Sequence, residues 1–469
     1  MMRKRKIAVL GAGTAGLAAS LALARDGHRV VLIERDPVHA SASGQAFAWE
    51  RKGIPHFLQP HAFIPRGRQE LVEHFGDVHA SLIREGAYDV DVSRKLPGTA
   101  EPADAVLQYM AVRRPLIEWG LRRAVLAQSG IEVHSGVPVS GVRLEGDGVG
   151  GVEVDGRAID VEAAVDAMGR RSPMHGWLEQ RGRAVPGPRR SECGVIYYSR
   201  YYRLRRGSGL PDGPWLLGPR GDLGYMGFST FPGDNGTFAA VLAVPTGAPE
   251  LKILMHEAAF EAAVARIPAL RTWANPELAE AITPVLPMGG LQNTINVTDD
   301  AQPGGLFPVA DALCHTDPVL AHGLSFSLIH AVEVARALRA HDDLGDAFAA
   351  YRNAVMPTLL ERHEFATALD EQRHRMWTGG PVDFARRDAD YALFSVMAAG
   401  VAAMADAEVF RVFVRRLGLL DSTRVLDEDE RLKGRIEDTF RELLQKPRPA
   451  PGPSRGEMLS VARAALDDR

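Results

Sequence analysis

The sequence predicts an α/β fold in which a parallel sheet, an inserted antiparallel sheet and a helical C-terminal region follow one another. Three observations predict it. An apolar strand, a glycine-rich turn and an Ala/Leu-rich helix open the chain, as in a βαβ unit with a right-handed crossover. Strand patterns of period two dominate residues 193–245. Helical patterns dominate after Leu324.

The predicted elements of the first part of the chain are short and alternate in type. Residues 49–68 between them are irregular and rich in proline, histidine and aromatic residues. GDGVGG (146–151) has no strand-then-helix context and predicts a hairpin turn. The pattern predicts a strand at 6–10, a helix at 14–25, a strand at 29–33, a helix at 115–128, strand, turn and strand at 131–143, and a strand at 163–167.

The second part begins with strands and ends with helices. In CGVIYYSRYYRL the residues Val195, Tyr197, Ser199 and Tyr201 alternate on one face, and Asp-Asn-Gly at 234–236 predicts a hairpin. Helical patterns run over residues 251–280 and dominate after Leu324. Residues 446–456 are a proline-rich linker, which a short tail helix follows.

The composition is that of a soluble globular protein, with 46% hydrophobic and 24% charged residues among 469. This length supports two or three packed units. The formal net charge of −4 offers no basic surplus for phosphate backbones, so no nucleic-acid partner is expected. Cys193 and Cys314 are too few for a disulfide framework, which indicates a reducing, cytoplasmic location.

Two apolar segments raise the question of secretion or membrane insertion. Residues 7–24 follow MMRKRK and imitate a secretory signal, but Gly11, Gly13 and Gly16 interrupt them at spacings with their own structural logic. Residues 391–404 are shorter than the roughly 20 residues that a membrane span needs. We expect a buried helix there and no membrane span.

GAGTAG at 11–16 is a dinucleotide-binding fingerprint of a Rossmann-like domain, because it follows a strand and opens a helix. Gly11 permits the tight turn, Gly13 lets the backbone approach a pyrophosphate, and Gly16 allows close packing of helix and strand. The helix N-terminus offers free N–H groups to the phosphates. Glu34 ends the second strand and is placed to bind a ribose, which favours FAD or NAD over NADP. Ala12, Thr14, Ala15 and Arg35 complete this part of the predicted site.

Three later segments resemble flavoprotein aromatic hydroxylases, which are FAD-dependent monooxygenases. They are RRPLIEWGL (113–121), VDAMGRRSP (165–173) and PVADALCHTDPVLAHGLSFSLIHA (308–331). ERKGIPHFLQPHAFIP (50–65) is similar to a segment of the squalene-epoxidase-like branch. The resemblance covers roughly residues 5–345, with the segments in the order that the family shows.

The resemblance implies FAD as the cofactor and a set of residues around it. Arg114 would pair with the flavin, Asp166 and Gly169 would lie near the pyrophosphate, and Asp311 would anchor the ribityl chain or pyrophosphate. The helix that begins near Leu324 would direct its dipole at the isoalloxazine ring. The remaining residues of this predicted set are Val139, Pro318, which fixes a turn, Gly323, which lets the backbone approach the ring, and Ser325.

The same resemblance implies a division into three parts. Residues 1–75, 100–185 and 275–345 would form the FAD-binding domain. Residues 76–99 and 186–274 would form an inserted β-sheet domain that binds substrate, and 346–469 the helical region. Three positions depart from the family: Ala310 replaces a glycine, His322 stands where a glycine or arginine is usual, and His56 where a glutamine is common.

The implied activity is insertion of one oxygen atom into an apolar or aromatic small molecule, by hydroxylation or epoxidation through a C4a-hydroperoxyflavin. Such chemistry needs a dry pocket, for which Tyr197, Tyr198, Tyr201, Tyr202, Phe228 and Phe231 offer one wall and residues 51–61 another. His56, His61 and His315 are the catalytic candidates, with a structural histidine as the alternative for each. NAD(P)H would supply electrons directly or through a separate flavin reductase, because no second fingerprint is present.

Other interpretations fit the sequence less well. Cys314, His315 and Asp317 are adjacent and lack a second cluster at metal-ligand spacing, so no metal is expected. A Cys/His nucleophile lacks an identifiable orienting acid. Halogenases share the expected fold, but the sequence lacks their Trp-x-Trp-x-x-Pro segment. A flavin-dependent dehydrogenase or double-bond reductase is the main alternative, and a nucleotide-binding regulatory protein is a weaker one.

Overall fold

The computed structural model describes residues 3–38, 41–297, 302–446 and 450–467. Within these ranges the predicted α/β architecture is confirmed. Part of the predicted linker at 446–456 lies outside the described residues.

The strands fall into one parallel sheet, one large antiparallel sheet and three small sheets. Their bounds are β1 (Lys6–Leu10), β2 (Arg29–Glu34), β3 (Tyr88–Asp91), β4 (Gln108–Ala111), β5 (Ile131–Ser135), β6 (Val139–Glu145), β7 (Gly148–Val154), β8 (Arg157–Asp160), β9 (Ala163–Asp166), β10 (Arg189–Glu192), β11 (Val195–Leu204), β12 (Arg220–Asp222), β13 (Gly227–Pro232), β14 (Thr237–Pro245), β15 (Ala279–Ala281), β16 (Leu286–Met288), β17 (Gln292–Ile295), β18 (Leu306–Pro308) and β19 (Cys314–His315).

The helices lie mainly in the C-terminal third. Their bounds are α1 (Thr14–Arg25), α2 (Pro65–His74), α3 (Gly76–Arg84), α4 (Arg114–Ala127), α5 (Met174–Gln180), α6 (Glu257–Arg266), α7 (Pro268–Trp273), α8 (Gly323–Ala340), α9 (Leu344–Trp377), α10 (Tyr391–Leu393), α11 (Ala399–Ala403), α12 (Ala407–Leu417), α13 (Arg424–Asp427), α14 (Glu430–Leu444) and α15 (Arg455–Asp467). A π-helical turn, Phe394–Ala398, joins α10 to α11.

The parallel sheet has the order β18-β9-β1-β2-β5. β1 and β9 are almost entirely buried and apolar, as expected for strands that helices cover on both faces. Helix α1 packs between α4 and α8. All five strands therefore end at the same edge, where the fingerprint turn, Asp166 and the segment after β18 meet.

The antiparallel sheet has the order β12-β13-β14-β11-β15, with β16 also paired to β11. Its predicted hairpin is present, with φ of +53° at Asn235 and +65° at Gly236. The alternation along β11 separates two environments. Tyr198 and Tyr202 lie in an apolar cluster with Phe260 of α6, whereas Tyr197 lies in a different cluster with Cys193 and Val241. The predicted helical stretch at 251–280 ends early, because Ala279–Ala281 joins this sheet as β15.

One large apolar core joins the N-terminal βαβ unit to the C-terminal helices, since Leu17, Ile117, Leu328 and Phe394 share it. The tail helix α15 instead packs on the antiparallel sheet through Met458 and Ala462. The predicted residues 391–404 are indeed buried helix. Among the described residues we find no helix with the length and apolarity to cross a bilayer. The division into three domains stays a prediction.

Candidate functional site

Gly11 and Gly16 of the fingerprint turn have the geometry that the sequence predicts. Gly11 has a φ of +100°, and its N–H donates to the Ile33 carbonyl at 2.8 Å. A Cβ on Gly16 would lie 1.8 Å from the Gly11 carbonyl oxygen, so only glycine fits where α1 crosses the turn. A Cβ on Gly13 would meet no protein atom closer than 3.7 Å. Gly13 thus has room for a methyl group in contact with the side chains of Ile54 and Arg114.

Glu34 is held at the end of β2 by backbone donors. Its carboxylate accepts the Ala12 N–H at 2.6 Å and the Asp36 N–H at 2.9 Å. Thr14, the first residue of α1, has a buried Oγ1 without a hydrogen-bond partner among the described residues. Ala15 is buried in α1, and the exposed Arg35 lies against Gly53. A free hydroxyl and free helix N–H groups beside an open turn are suited to a phosphate.

Buried charges surround this turn. Arg51 contacts Glu34 at 3.2 Å and Asp36 at 3.4 Å. Arg114 donates to Glu118 at 3.0 Å and lies beside Gly13, and its contact with the cofactor stays a prediction. Burial alone would raise the pKa of Glu118, but the neighbouring arginines, among them Arg51 and Arg114, hold it below its usual value. Glu118 is therefore ionised, and the positively charged Arg51 and Arg114 lie next to it.

Asp166 organises the turn after β9. Its carboxylate accepts the Met168 N–H at 3.1 Å and the Ser172 hydroxyl at 2.6 Å, and burial raises its pKa to about 6. Gly169 has a φ of +77°. These contacts account for Asp166 within the turn itself, next to the expected pyrophosphate position. Val139 starts β6, two residues after Val137, whose N–H donates to the Glu34 carbonyl at 3.1 Å.

Asp311, His315, His56 and His61, which sequence reasoning singled out separately, lie in one group. His315 Nδ1 is 3.4 Å from Asp311, and the rings of His56 and His61 are 6.0 Å apart between centroids. Burial opposes ionisation of Asp311, yet its contact with His315 and the positive charge of Arg114 lower its pKa. Burial and Arg114 lower the pKa of His61 to about 4 and that of His56 to about 2, so both are neutral at pH 7.

The segment between β18 and α8 contains two alanines in the left-handed region. φ is +50° at Ala310 and +56° at Ala321. The Ala310 N–H donates to His330 Nδ1 at 2.9 Å, which fixes the turn that presents Asp311. A Cβ on Gly323 would meet nothing within 4 Å, so the start of α8 borders open space.

Other predicted residues of this segment face protein. Pro318 begins a 3-10 turn that Asp317 caps by accepting the Val319 N–H at 3.1 Å. Leu324 is buried, and Ser325 packs against Gly67 of α2. His322 is buried, and its ring hydrogen-bonds the Leu417 carbonyl of α12. The unusual His322 thus ties α8 to the C-terminal helices.

Residues 56–61 dock this group onto the antiparallel sheet. Gln59 accepts the Ser199 hydroxyl at 2.8 Å and donates to the Leu286 carbonyl at 3.0 Å. The Tyr201 hydroxyl donates to the Gln59 carbonyl at 3.4 Å, and His61 Nδ1 lies 2.7 Å from the same oxygen. These contacts pack the segment that carries His56 and His61 directly against the face of the sheet that carries the buried Tyr197, Ser199 and Tyr201.

A buried polar network lies beside these contacts, between the antiparallel sheet and α9. Asp317 accepts the Tyr197 hydroxyl at 2.5 Å and Arg373 at 2.5 Å, and Arg373 also donates to Asp370 at 2.7 Å. Asn293 donates to Asp370 at 2.8 Å. Cys193, Asp317 and Asp370 come within metal-ligand distance of one another. Arg373 pairs with Asp317, and burial raises the pKa of both Asp370 and the Cys193 thiol, so these residues suit an ion pair with a protonated neighbour better than a metal.

Sequence reasoning missed several of these residues. Arg113, next to the predicted Arg114, binds Asp234 of the β-hairpin at 2.7 Å. Arg373 and Asp370 lie three residues apart on α9, among the buried Leu369 and Trp377. Two opposite charges on a buried helix face are the sequence signal for such a network. The spacing of residues along the chain does not predict their partners, Tyr197 in β11 and Asp317 before α8.

Comparisons with known proteins agree with this geometry. Residues 6–114 match the model of the FAD dependent oxidoreductase family. The match spans the fingerprint turn and extends to Arg114. It is 24% identical to Protein Rv3254 of Mycobacterium tuberculosis over 440 residues, which cover 88% of this chain and 89% of that protein.

Solved structures share the fold at low identity. PqsL, a probable FAD-dependent monooxygenase of Pseudomonas aeruginosa, is 18% identical with a TM-score of 0.57, over 80% of this chain and 99% of PqsL. The flavin-dependent brominase Bmp2 is 17% identical with a TM-score of 0.61, over 94% of this chain and 98% of Bmp2. The predicted α/β fold is thus confirmed. The unpartnered Thr14 hydroxyl and the space at Gly323 fit FAD.

Proposed function

We propose that the protein is an FAD-dependent monooxygenase that inserts one oxygen atom into an apolar or aromatic small molecule, by hydroxylation or epoxidation. The observation that carries the proposal is the group formed by Asp311, His56 and His61, which lies next to Arg114, beside the fingerprint turn, and packs against the antiparallel sheet. The sheet meets this group through buried tyrosines, since the Tyr201 hydroxyl donates to the Gln59 carbonyl and Tyr197 to Asp317.

FAD, when bound, would supply the reduction of oxygen and the transfer of one oxygen atom. The chain's own residues bind, orient and exclude water. Gly11, Gly13 and the start of α1 would hold the pyrophosphate, and the start of α8 at Gly323 would offer a positive helix end to the cofactor. The buried Tyr197 and Tyr201 and the Gln59 contact with Ser199 exclude water from the region beside the histidines.

The histidines offer proton-holding groups without adding charge. The pKa of His61 is lowered to about 4 and that of His56 to about 2, so each keeps one unprotonated ring nitrogen at neutral pH. His315 pairs with Asp311 at 3.4 Å. We assign His56, His61 and His315 to contact with substrate or with the transferred oxygen, and Asp311 to the cofactor.

Two structural neighbours support an aromatic substrate. PqsL has been solved with 2-aminobenzoylacetate, and a further neighbour is a 2-methyl-3-hydroxypyridine-5-carboxylic acid oxygenase. Bmp2 and the halogenase CmlS share the fold, but this sequence lacks the Trp-x-Trp-x-x-Pro segment expected of halogenases. Electrons would come from NAD(P)H directly or through a separate reductase. Two free, buried cysteines fit a cytoplasmic location.

The first experiment is the visible spectrum of the purified protein, followed by titration with FAD. Flavin bands, or their appearance during the titration, are expected; their absence would rule out the proposal. The holoenzyme is then supplied with NADH, NADPH or an added flavin reductase and with labelled oxygen. Incorporation of one ¹⁸O atom into an aromatic product supports a monooxygenase. Turnover of an alkene without oxygen would identify a double-bond reductase instead.

A further inference from the structure

The tip of the hairpin between β13 and β14, residues 233–236, reaches from the antiparallel sheet to the start of α4. The Asp234 carboxylate accepts the Arg113 backbone N–H at 2.8 Å and a guanidinium N–H of the same residue at 2.7 Å. Asp234 is fully buried, and a Cβ on Gly233 would lie 3.1 Å from the Arg113 side chain. The hairpin is thus bound to α4 by a buried ion pair and a backbone hydrogen bond.

Arg113 is the N-cap residue of α4, and its own side chain makes no capping hydrogen bond to the helix. The start of a helix has N–H groups that need partners and a positive dipole end that favours an acid. Asp234 supplies that acid, although it lies 121 residues away in the sequence. The start of α4 is therefore stabilised by the antiparallel sheet and not by its own neighbouring residues.

The first residue of α4 is Arg114, which lies beside the fingerprint turn. A Cβ on Gly13 would be 4.0 Å from a guanidinium nitrogen of Arg114, and Arg114 also donates to Glu118 one helical turn later at 3.0 Å. Arg113 and Arg114 are consecutive, so the hydrogen bond that fixes the Arg113 backbone also fixes the point from which Arg114 projects. Asp234 thereby influences the dinucleotide end of the site from another sheet.

Further contacts fix the hairpin tip in this place. The Asn235 backbone N–H donates to the Gly86 carbonyl at 3.0 Å, and its side-chain amide donates to the Glu85 carbonyl at 2.8 Å. A Cβ on Gly86 would lie 2.2 Å from the Asn235 amide oxygen, so the tip fits closely against this turn. The Arg113 guanidinium lies 3.6 Å from the centre of the Phe47 ring. The tip is therefore held by the turn after α3 as well as by the start of α4.

We propose that Asp234 is a positioning residue for FAD: through Arg113 it holds the start of α4, and with it Arg114, in the place that strengthens FAD binding. The inference goes beyond the proposed function, because a monooxygenase and a reductase would use the same FAD site. Coupling between two sites is reciprocal. If the docked hairpin tip strengthens FAD binding, bound FAD strengthens the docking of the tip by the same factor.

The test is FAD titration of the folded protein and its variants, followed by fluorescence quenching. Asp234→Asn keeps the size of the side chain and removes its charge, and it should weaken FAD binding about tenfold. Arg113→Lys keeps the positive charge without the planar fork and should give a smaller loss. The control is Glu261→Gln, which removes a partner of Arg200 at 2.8 Å on the α6 side of the same sheet and should change FAD affinity less than about threefold.

Hydrogen exchange separates positioning from a purely structural role. In the wild type, FAD should slow the exchange of the Arg113 and Asn235 amides, which donate to Asp234 and Gly86. In Asp234→Asn this protection by FAD should be reduced by the factor that FAD affinity loses. A purely structural ion pair would lower stability to urea in Asp234→Asn and leave the FAD affinity of the folded protein unchanged. That result, or exchange at both wild-type amides that does not respond to FAD, would overturn the inference.

Discussion

The two ends of the predicted flavin site are built in different ways. At the dinucleotide end, the contacts join neighbours: Glu34 binds the N–H groups of Ala12 and Asp36, which lie 22 and two residues away. At the other end, which packs on the antiparallel sheet, Asp317 binds Tyr197 and Arg373, which lie 120 and 56 residues away in the sequence. The first end depends on backbone geometry and the second on side chains from distant elements.

This difference decides how each end responds to substitution. A backbone turn tolerates no added atom where two segments touch, but it accepts one where it borders a ligand. A side-chain network instead depends on charge balance, because each buried acid needs its partner. The predictions below test this contrast from the largest expected effect to the smallest.

The strongest test of the dinucleotide end compares Gly16→Ala with Gly13→Ala. The new methyl group of Gly16→Ala would lie 1.8 Å from the Gly11 carbonyl oxygen. We expect a loss of about 3 kcal/mol or more in the free energy of unfolding, because overpacking forces the backbone to move. Gly13→Ala has 3.7 Å of clearance and should unfold like the wild type but bind FAD more weakly. Urea denaturation and FAD titration measure the two effects; equal destabilisation in both variants would contradict the contrast.

The second test asks which residue after β18 holds the cofactor. Asp311→Ala should weaken FAD binding by about 10- to 100-fold, because it removes a charged hydrogen-bond acceptor. Cys314→Ala removes a buried thiol whose pKa is raised to about 12 by burial, and should leave FAD affinity within about threefold. Fluorescence quenching of FAD during titration measures both affinities. The reverse result would give the cysteine a direct role.

Most of the dinucleotide end and of the secondary structure could be predicted from the sequence. The bounds of β1 and α1 and the hairpin at Asn235 follow from local periodicity and from glycine geometry. The link between Asp317 and Arg373 could not, because ion pairs between distant segments leave no periodic signal. His322 shows the same limit: its sequence position suggests the substrate, while the structure places its ring against Leu417.

The charge balance of the network can be tested through pH. Burial and the field of Asp317 raise the pKa of Asp370 to about 8, well above that of an unfolded aspartate. The folded protein therefore holds a proton that the unfolded chain releases, and stability falls as pH rises from about 4 to about 8. Asp370→Asn should flatten this decline between pH 6.5 and 8, where the slope of one such group is at most about 1.4 kcal/mol per pH unit.

A matched variant separates Asp370 from the other buried acids. Burial raises the pKa of Asp222 to about 6, so Asp222→Asn should change the pH dependence only below that value. The lowered pKa of His61, about 4, acts in the opposite direction between about pH 4 and 7.5, and it acts alike in the wild type and in both variants. Urea denaturation at pH 6.5, 7, 7.5 and 8 provides the measurement. An unchanged slope in Asp370→Asn would place the proton elsewhere.

The smallest expected effect concerns the backbone that joins the two ends. Ala310 has a φ of +50°, a conformation that glycine adopts without steric cost and alanine does not. Ala310→Gly should raise the free energy of unfolding by up to about 1 kcal/mol, and Ala312→Gly, in a 3-10 turn at negative φ, should lower it by a similar amount. Urea denaturation distinguishes these opposite signs. A loss of stability in both variants would show that the buried contacts of the Ala310 methyl group stabilise the fold by more free energy than its backbone conformation costs. Side chains would then determine the turn before Asp311, as they determine the network around Asp317.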